Sequence, residues 1–497
     1  MESRFAQCDR ELLFGEDVPA CYFNDDNVGR TLDQLYAVGT QKIFSTLAVS
    51  AVRTFEIEPH HAHYDTTSVS VYGQYAEGDE TETDGVVRIT YGHSKDKRPD
   101  LKQFLLSTLG VGGDVPILGS VEDGNASDKT LNRGILSQVS SRMAALGVEE
   151  GAFIYIADSA MVTESNLAEI GDRIPFITRL PATYHECDRV IRDAVKANAW
   201  ETLGPLAQSE PTENRPLAVY RAHESTVTLY DKQYRAVVIH SSSYDKRRNK
   251  KLDRDIKASE KALLQRAKAL AKPVYACRAD ADAAAQAAGH EKTPYHRLEV
   301  DVQEHPQYAK GRPKKDRPRQ PIAYHYPLVL RVVENTEAIE KGRQIAGCFV
   351  MLTNVLSEGE QAYNSEKILR TYKDQQGVER NYSFLKDDRI VNALFLKRHD
   401  RIEGLGLILL LALLIWRLME HQLRDYLQQH ETTVPGWDNK PTQRPTAYML
   451  TIKFKGILVL RVGHQRSLAR PLSETQSAYL KALDLPSTVF VQPPDTR

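Results

Sequence analysis

The 497-residue chain is 41% hydrophobic and 26% charged, the composition of an ordinary soluble protein with roughly two to four domains' worth of core. Its 65 Lys and Arg balance 66 Asp and Glu, which argues against a simple nucleic-acid coat protein and leaves any affinity for polyanions to local patches. The five cysteines (Cys8, Cys21, Cys187, Cys277, Cys348) are scattered and nowhere spaced as C-x-x-C, so neither a disulfide framework nor a zinc knuckle is signalled. That cysteine usage makes a reducing cytoplasm the expected location, and Glu2, Arg4, Asp9, Arg10 and Glu11 break up any leader-like apolar run.

Residues 1–54 read as short helices. Asn24-Asp25-Asp26-Asn27 offers an N-cap before Leu32, Leu35 and Tyr36, and Ile43, Leu47 and Ala51 recur at helical spacing beyond Gly39. Such a helix pair is a candidate DNA-contacting element, although packing scaffold is the commoner role. From Phe55 to about 203 the pattern changes to period two and predicts the first part of a mixed α/β core. A strand over His63–Tyr72 is expected to pair with Gly85–Tyr91 as a hairpin, followed by a strand over Val115–Val121. Asp123-Gly-Asn-Ala-Ser-Asp128 then caps a helix through Leu131, Leu136, Val139 and Met143, stopped by Gly147. Ala152–Ala157 has the continuous apolar character of a strand buried on both faces, ending at Asp158. A short helix, a strand over Pro175–Leu180 and a helix from His185 to about Ala199 complete a mixed sheet flanked by helices.

Residues 204–344 read as a large α+β insertion, with short β pieces, a charged helix from about Lys250 to Lys272 and a Pro-rich basic stretch, Lys310–Arg319. The core resumes over 345–434 with a strand, Gly347–Val355, and a helix that Ser357-Glu-Gly-Glu360 opens as a capping box. The apolar run Gly404–Trp416 is shorter than the roughly 20 residues of a membrane span and reads as a buried core helix, so no membrane partner is expected. The C-terminal region, 435–497, shows a strand pair around Tyr448–Val462.

Two aspartates and one helix face carry the chemistry. Asp65 lies on the first strand and Asp158 at the carboxyl end of the central one, the edge of an open sheet where sites form. On a helix, Tyr372, Gln375, Glu379 and Lys386 fall within roughly a 60° sector. Three carboxylates converging from Asp65, Asp158 and Glu379 would suit Mg²⁺ or Mn²⁺, which take hard oxygen donors.

His63-Tyr-Asp-Thr-Thr-Ser68, Asp123-Gly-Asn-Ala-Ser-Asp128, Ile156-Ala-Asp-Ser-Ala160 and Tyr372–Lys386 together resemble the DDE transposases of bacterial insertion sequences. The resemblance is to the branch with the signature Y-x2-R-x3-E-x6-K and a large insertion before the glutamate, and it covers about Asn24 to Arg424. It implies a ribonuclease-H-like domain in which Asp65, Asp158 and Glu379 bind two Mg²⁺ (or Mn²⁺) ions, and a homodimer that pairs terminal inverted repeats before joining them to target DNA. Tyr372 and Lys386 take the signature's DNA-contacting roles. Gln375 stands where the signature has Arg, able to hydrogen-bond a phosphate but uncharged. The alternative implied by the same resemblance is a catalytically inactive, co-opted DNA-binding relative.

The basic runs Lys246-Arg247-Arg248 to Lys251 and Lys310–Arg319, including Lys314 and Lys315, are further candidate phosphate contacts, and the loop Lys95–Arg98 is a weaker one. His61 and His63 share a strand face, but without a third ligand nearby a zinc site is not expected.

Overall fold

The computed structural model describes the whole chain except residues 74, 76–85, 207–215, 312–318, 360, 375, 387–395 and 495–497, and only the backbone of 376–380. The chain divides into two compact units, Met1–Arg179 with Thr353–Arg497, and Leu180–Leu352.

After two short helical segments, Glu2–Phe5 and Arg10–Phe14, the first unit forms helix α1 (Asp25–Val38), whose N-cap Asn24 accepts a hydrogen bond from the Asn27 amide. Gly39, at φ +98°, turns the chain into α2 (Thr40–Thr54). The sheet follows: β1 (His61–Val71), β2 (Lys102–Val111) and β3 (Val115–Glu122) form an antiparallel meander. Helix α3 (Asp128–Ala145), capped by Ser127, leads to β4 (Ile154–Ile156), which pairs parallel with β1. Helix α4 (Glu164–Ile170), capped by Thr163, leads to β5 (Phe176–Arg179), parallel with β4. The order β3-β2-β1-β4-β5, with one antiparallel half and one parallel half, is the ribonuclease-H-like mixed sheet with flanking helices.

After the second unit, the chain resumes as α5 (Ser365–Asp374), α6 (Gln376–Leu385) and α7 (His399–Gln429). Tyr382 and Leu385 of α6 and Ile402, Leu409 and Leu413 of α7 join Val69, Val71, Phe104, Leu106 and Val121 of the sheet in one apolar cluster. Among the described residues, α7 is the one helix long and apolar enough to cross a membrane, yet it packs on β3, α1 and α2 and carries a buried Arg417–Glu420 ion pair. Two helices, α8 (Ala447–Lys453) and α9 (Glu474–Ala482), cover its end through Leu423, Leu427, Leu450 and Tyr479.

The second unit, described by itself, runs Cys348–Thr353 beside Lys232–Ser241, then Val219–Leu229, then Glu201–Pro205. A smaller sheet centred on Ala323–Glu334 packs on the helix Ser242–Leu270 through Leu263, Ala267 and Leu298. The stretch 204–344 falls within this unit.

Four sequence expectations need correcting. The partner of β1 is Lys102–Val111 rather than Gly85–Tyr91, where Thr90 makes only an isolated bridge to Gln103. Every residue of β2 is buried, so its apolar positions do not alternate and no period-two signal marks it. The helix carrying Tyr372 starts at Ser365, where the Asn364 side chain accepts from the Lys367 amide, so Ser357 opens nothing. The charged helix of the second unit begins at Ser242, where Ser241 caps it. Finally, Ala447–Lys453 is helical, capped by Thr446, and the C-terminal strand pair is Val459–Val462 with Gln465–Leu468. Short apolar runs do not distinguish helix from strand by period alone.

Candidate active site

The register between β1 and β4 sets His63 opposite Ile156. Asp65 follows two residues later within β1 and Asp158 two residues later, just past the end of β4, so the two carboxylates sit near the same end of parallel strands that run about 4.8 Å apart. Side chains at residues i and i+2 share a face, which is why the spacing matters. The carboxyl of Asp65 is pushed up to about 6, by burial first and then by the charges of Asp158 and Asp128, against the opposing pull of Lys95 and the Thr66 amide. Asp158 moves in the same direction, again from burial and then from Asp128. Crowded, partly dehydrated carboxylates of this kind call for a positive charge.

Each aspartate is also held locally. Asp65 Oδ1 accepts the Thr66 amide at 2.7 Å, and Asp158 Oδ1 caps a single 3₁₀ turn through the Ala160 amide at 3.0 Å. The Thr178 hydroxyl donates to the Asp158 carbonyl at 2.8 Å. Capping engages one oxygen of Asp158 and so does not compete with a ligand role for the other.

Helix α6 is fastened to the same place. The Tyr382 hydroxyl is hydrogen-bonded to the Asp65 carbonyl and to Thr108 Oγ1, 2.9 Å away, the residue opposite Asp65 on β2. Asn381 donates to the Asp114 carbonyl at 3.1 Å and accepts from buried Arg417. Residue 379 precedes Tyr382 by three positions, hence one helical turn away on the same face; the Glu379 side chain lies outside the described residues. The continuous helix expected over Tyr372–Lys386 is two successive helices, with Tyr372 in α5 and Lys386 just past the end of α6. Gln375, Lys314 and Lys315 lie outside the described residues.

Among the described residues no three His, Cys, Asp or Glu side chains enclose a metal position. The described donors nevertheless suit a hard divalent cation: two neighbouring carboxylates with raised proton affinity, accompanied by one ammonium. That ammonium is Lys95 Nζ, 3.7 Å from Asp65 Oδ1 and 3.6 Å from Asp128 Oδ2. Sequence reasoning gave Lys95 only a weak phosphate-contact role and assigned no role of their own to Thr66 and Asp128, although the latter two stand inside the quoted motifs.

Residues 1–49 match a family described as a domain of unknown function, DUF4277. The matched segment covers α1 and most of α2 and ends before β1. No curated protein matches the chain.

The remaining predicted contacts are dispersed. Lys386 Nζ pairs with Asp96 Oδ1 at 2.5 Å. Lys246, Arg247 and Arg248 are exposed near the start of the second unit's long helix, the two guanidinium groups 5.9 and 5.8 Å from the Tyr244 ring. His61 Nε2 is 2.9 Å from the Tyr363 hydroxyl, while burial holds the His63 ring neutral, its pKa lowered to about 3.

Proposed function

We propose that the protein is a DNA transposase that cuts and joins the ends of an insertion sequence, by phosphodiester hydrolysis followed by transesterification. The observation that supports this reading is the placement of Asp65 on β1 beside Asp158, just past the end of the adjacent parallel strand β4, with the helix of residue 379 tied to the Asp65 carbonyl through Tyr382. Bound by Asp65, Asp158 and Glu379, two Mg²⁺ or Mn²⁺ ions would supply an activated water or 3′-hydroxyl and neutralise the leaving oxygen. The two aspartates provide the anionic floor, and Tyr382 and Asn381 fix the helix that brings the third carboxylate. Tyr372 and Lys386 contact DNA near the cleaved end, with Lys386 exchanging Asp96 for a phosphate. Lys246, Arg247 and Arg248 neutralise further phosphates, which makes binding salt-dependent, and a homodimer pairs the two ends.

The test uses purified protein, DNA carrying the element's terminal repeats, and Mg²⁺. Strand nicking is expected, with Asp65→Ala, Asp158→Ala and Glu379→Ala each abolishing it while DNA binding persists. Wild-type nicking by any of the three would overturn the assignment.

A further inference from the structure

The loop between β1 and β2 sends Lys95 inward rather than to solvent. Its amide donates to Ser68 Oγ at 2.9 Å, anchoring the loop to β1. Its ammonium donates to the Thr66 carbonyl at 2.7 Å and to Thr66 Oγ1 at 2.6 Å, and that hydroxyl donates in turn to Asp128 Oδ1 at 2.6 Å. Asp65 Oδ1 and Asp128 Oδ2 complete a shell of four oxygens within 3.7 Å of Nζ, two of them anionic. A shell of oxygens around one compact positive charge is the environment a hard metal cation also selects. The neighbouring Asp96 is bonded to Lys386 beyond α6, so the loop is fixed from both sides.

We propose that Lys95 is the resident cation of the carboxylate site. It is a positioning residue that spaces Asp65 from Asp128 in the metal-free protein and must yield when a divalent cation binds. Two like charges cannot share this shell without a large Coulomb penalty, so metal and Lys95 compete for Asp65. The inference rests on the metal-dependent reading of the Asp65 and Asp158 pair, and its test requires no DNA and no turnover.

Mn²⁺ alone is titrated into the full-length protein, with bound metal read by electron paramagnetic resonance and by the shift in melting temperature. Lys95→Met and Lys95→Gln are expected to bind Mn²⁺ at least about tenfold more tightly than wild type, from removal of a like charge within about 4 Å. Both should melt below wild type without metal and gain more on saturation. Lys95→Gln retains a donor for Thr66, which protects folding, and Lys95→Arg, which keeps the charge, should behave as wild type. Equal or weaker Mn²⁺ binding in both neutral variants would overturn the proposal while leaving the metal site intact. No Mn²⁺ binding by wild type or variants would overturn the proposal and the metal-dependent reading together.

Discussion

Asp65 burdens the metal-free protein at neutral pH. Its folded carboxyl titrates near 6 against an ordinary 3.8, so as pH rises the unfolded chain gives up its proton before the folded one does. Stability therefore falls between about pH 4 and pH 6 and stays lowered above that range; Asp158 acts in the same direction. Asp65→Asn, which mimics the neutral form, is expected to stabilise the metal-free protein at pH 7 by up to about 3 kcal/mol and to flatten this pH dependence. Urea unfolding at pH 5 and pH 7 measures it, and an unchanged or lowered midpoint at pH 7 would refute it. The two aspartates were legible in the sequence because strand ends and short motifs are local. Lys95 was not, because a lysine in a charged loop looks the same whether it points to solvent or to a carboxylate brought near by folding. Asp128 stood in a quoted motif but read as the end of a capping turn; it is the first residue of its helix.

Helix α7 shows how an element is placed by what it buries. Gly406 lies so close to β3 that a Cβ there would sit 2.2 Å from Val121 Cγ2, which accounts for a glycine inside an otherwise leucine-rich run. Farther along, Glu420 accepts from Arg417 at 2.6 Å, Arg424 at 2.9 Å and the Ala447 amide at 3.0 Å, while Arg417 reaches Asn381 of α6. One buried carboxylate thus joins α7 to α6 and to the start of α8. Glu420→Ala removes the buried carboxylate that faces Arg417, with an expected cost of about 3–5 kcal/mol. Glu366→Ala, which removes an exposed partner of Arg370, should cost less than about 1 kcal/mol. Equal urea midpoints for the two variants would show that the buried network does not carry this weight. The sequence revealed the apolar centre of α7 but not its full 31 residues, because the polar ends are specified by partners far away in the chain.

At the scale of the whole molecule, the first unit closes on itself across the interruption. The Thr353 hydroxyl donates to the Phe176 carbonyl at 2.5 Å, and the Phe176 amide donates to Asn354 Oδ1 at 2.8 Å. Within the second unit, the Leu180 amide donates to the Val350 carbonyl at 2.9 Å, so its two ends also meet. Replacing Leu180–Leu352 by a short Gly-Ser linker is expected to leave a first unit that unfolds cooperatively in urea, followed by circular dichroism; a shortened chain without a cooperative transition would refute this. The same closure sets a timetable for biosynthesis. At about 5–20 residues per second, the 173 residues from Leu180 to Leu352, endpoints included, occupy the ribosome for roughly 9–35 s. Throughout that interval β1 to β5 have been made, but α6 and α7, which cover Phe104, Leu106 and Val121, have not. The nascent chain must hold an uncovered apolar sheet face until those helices emerge, and it is then that the helix bearing residue 379 first reaches Asp65.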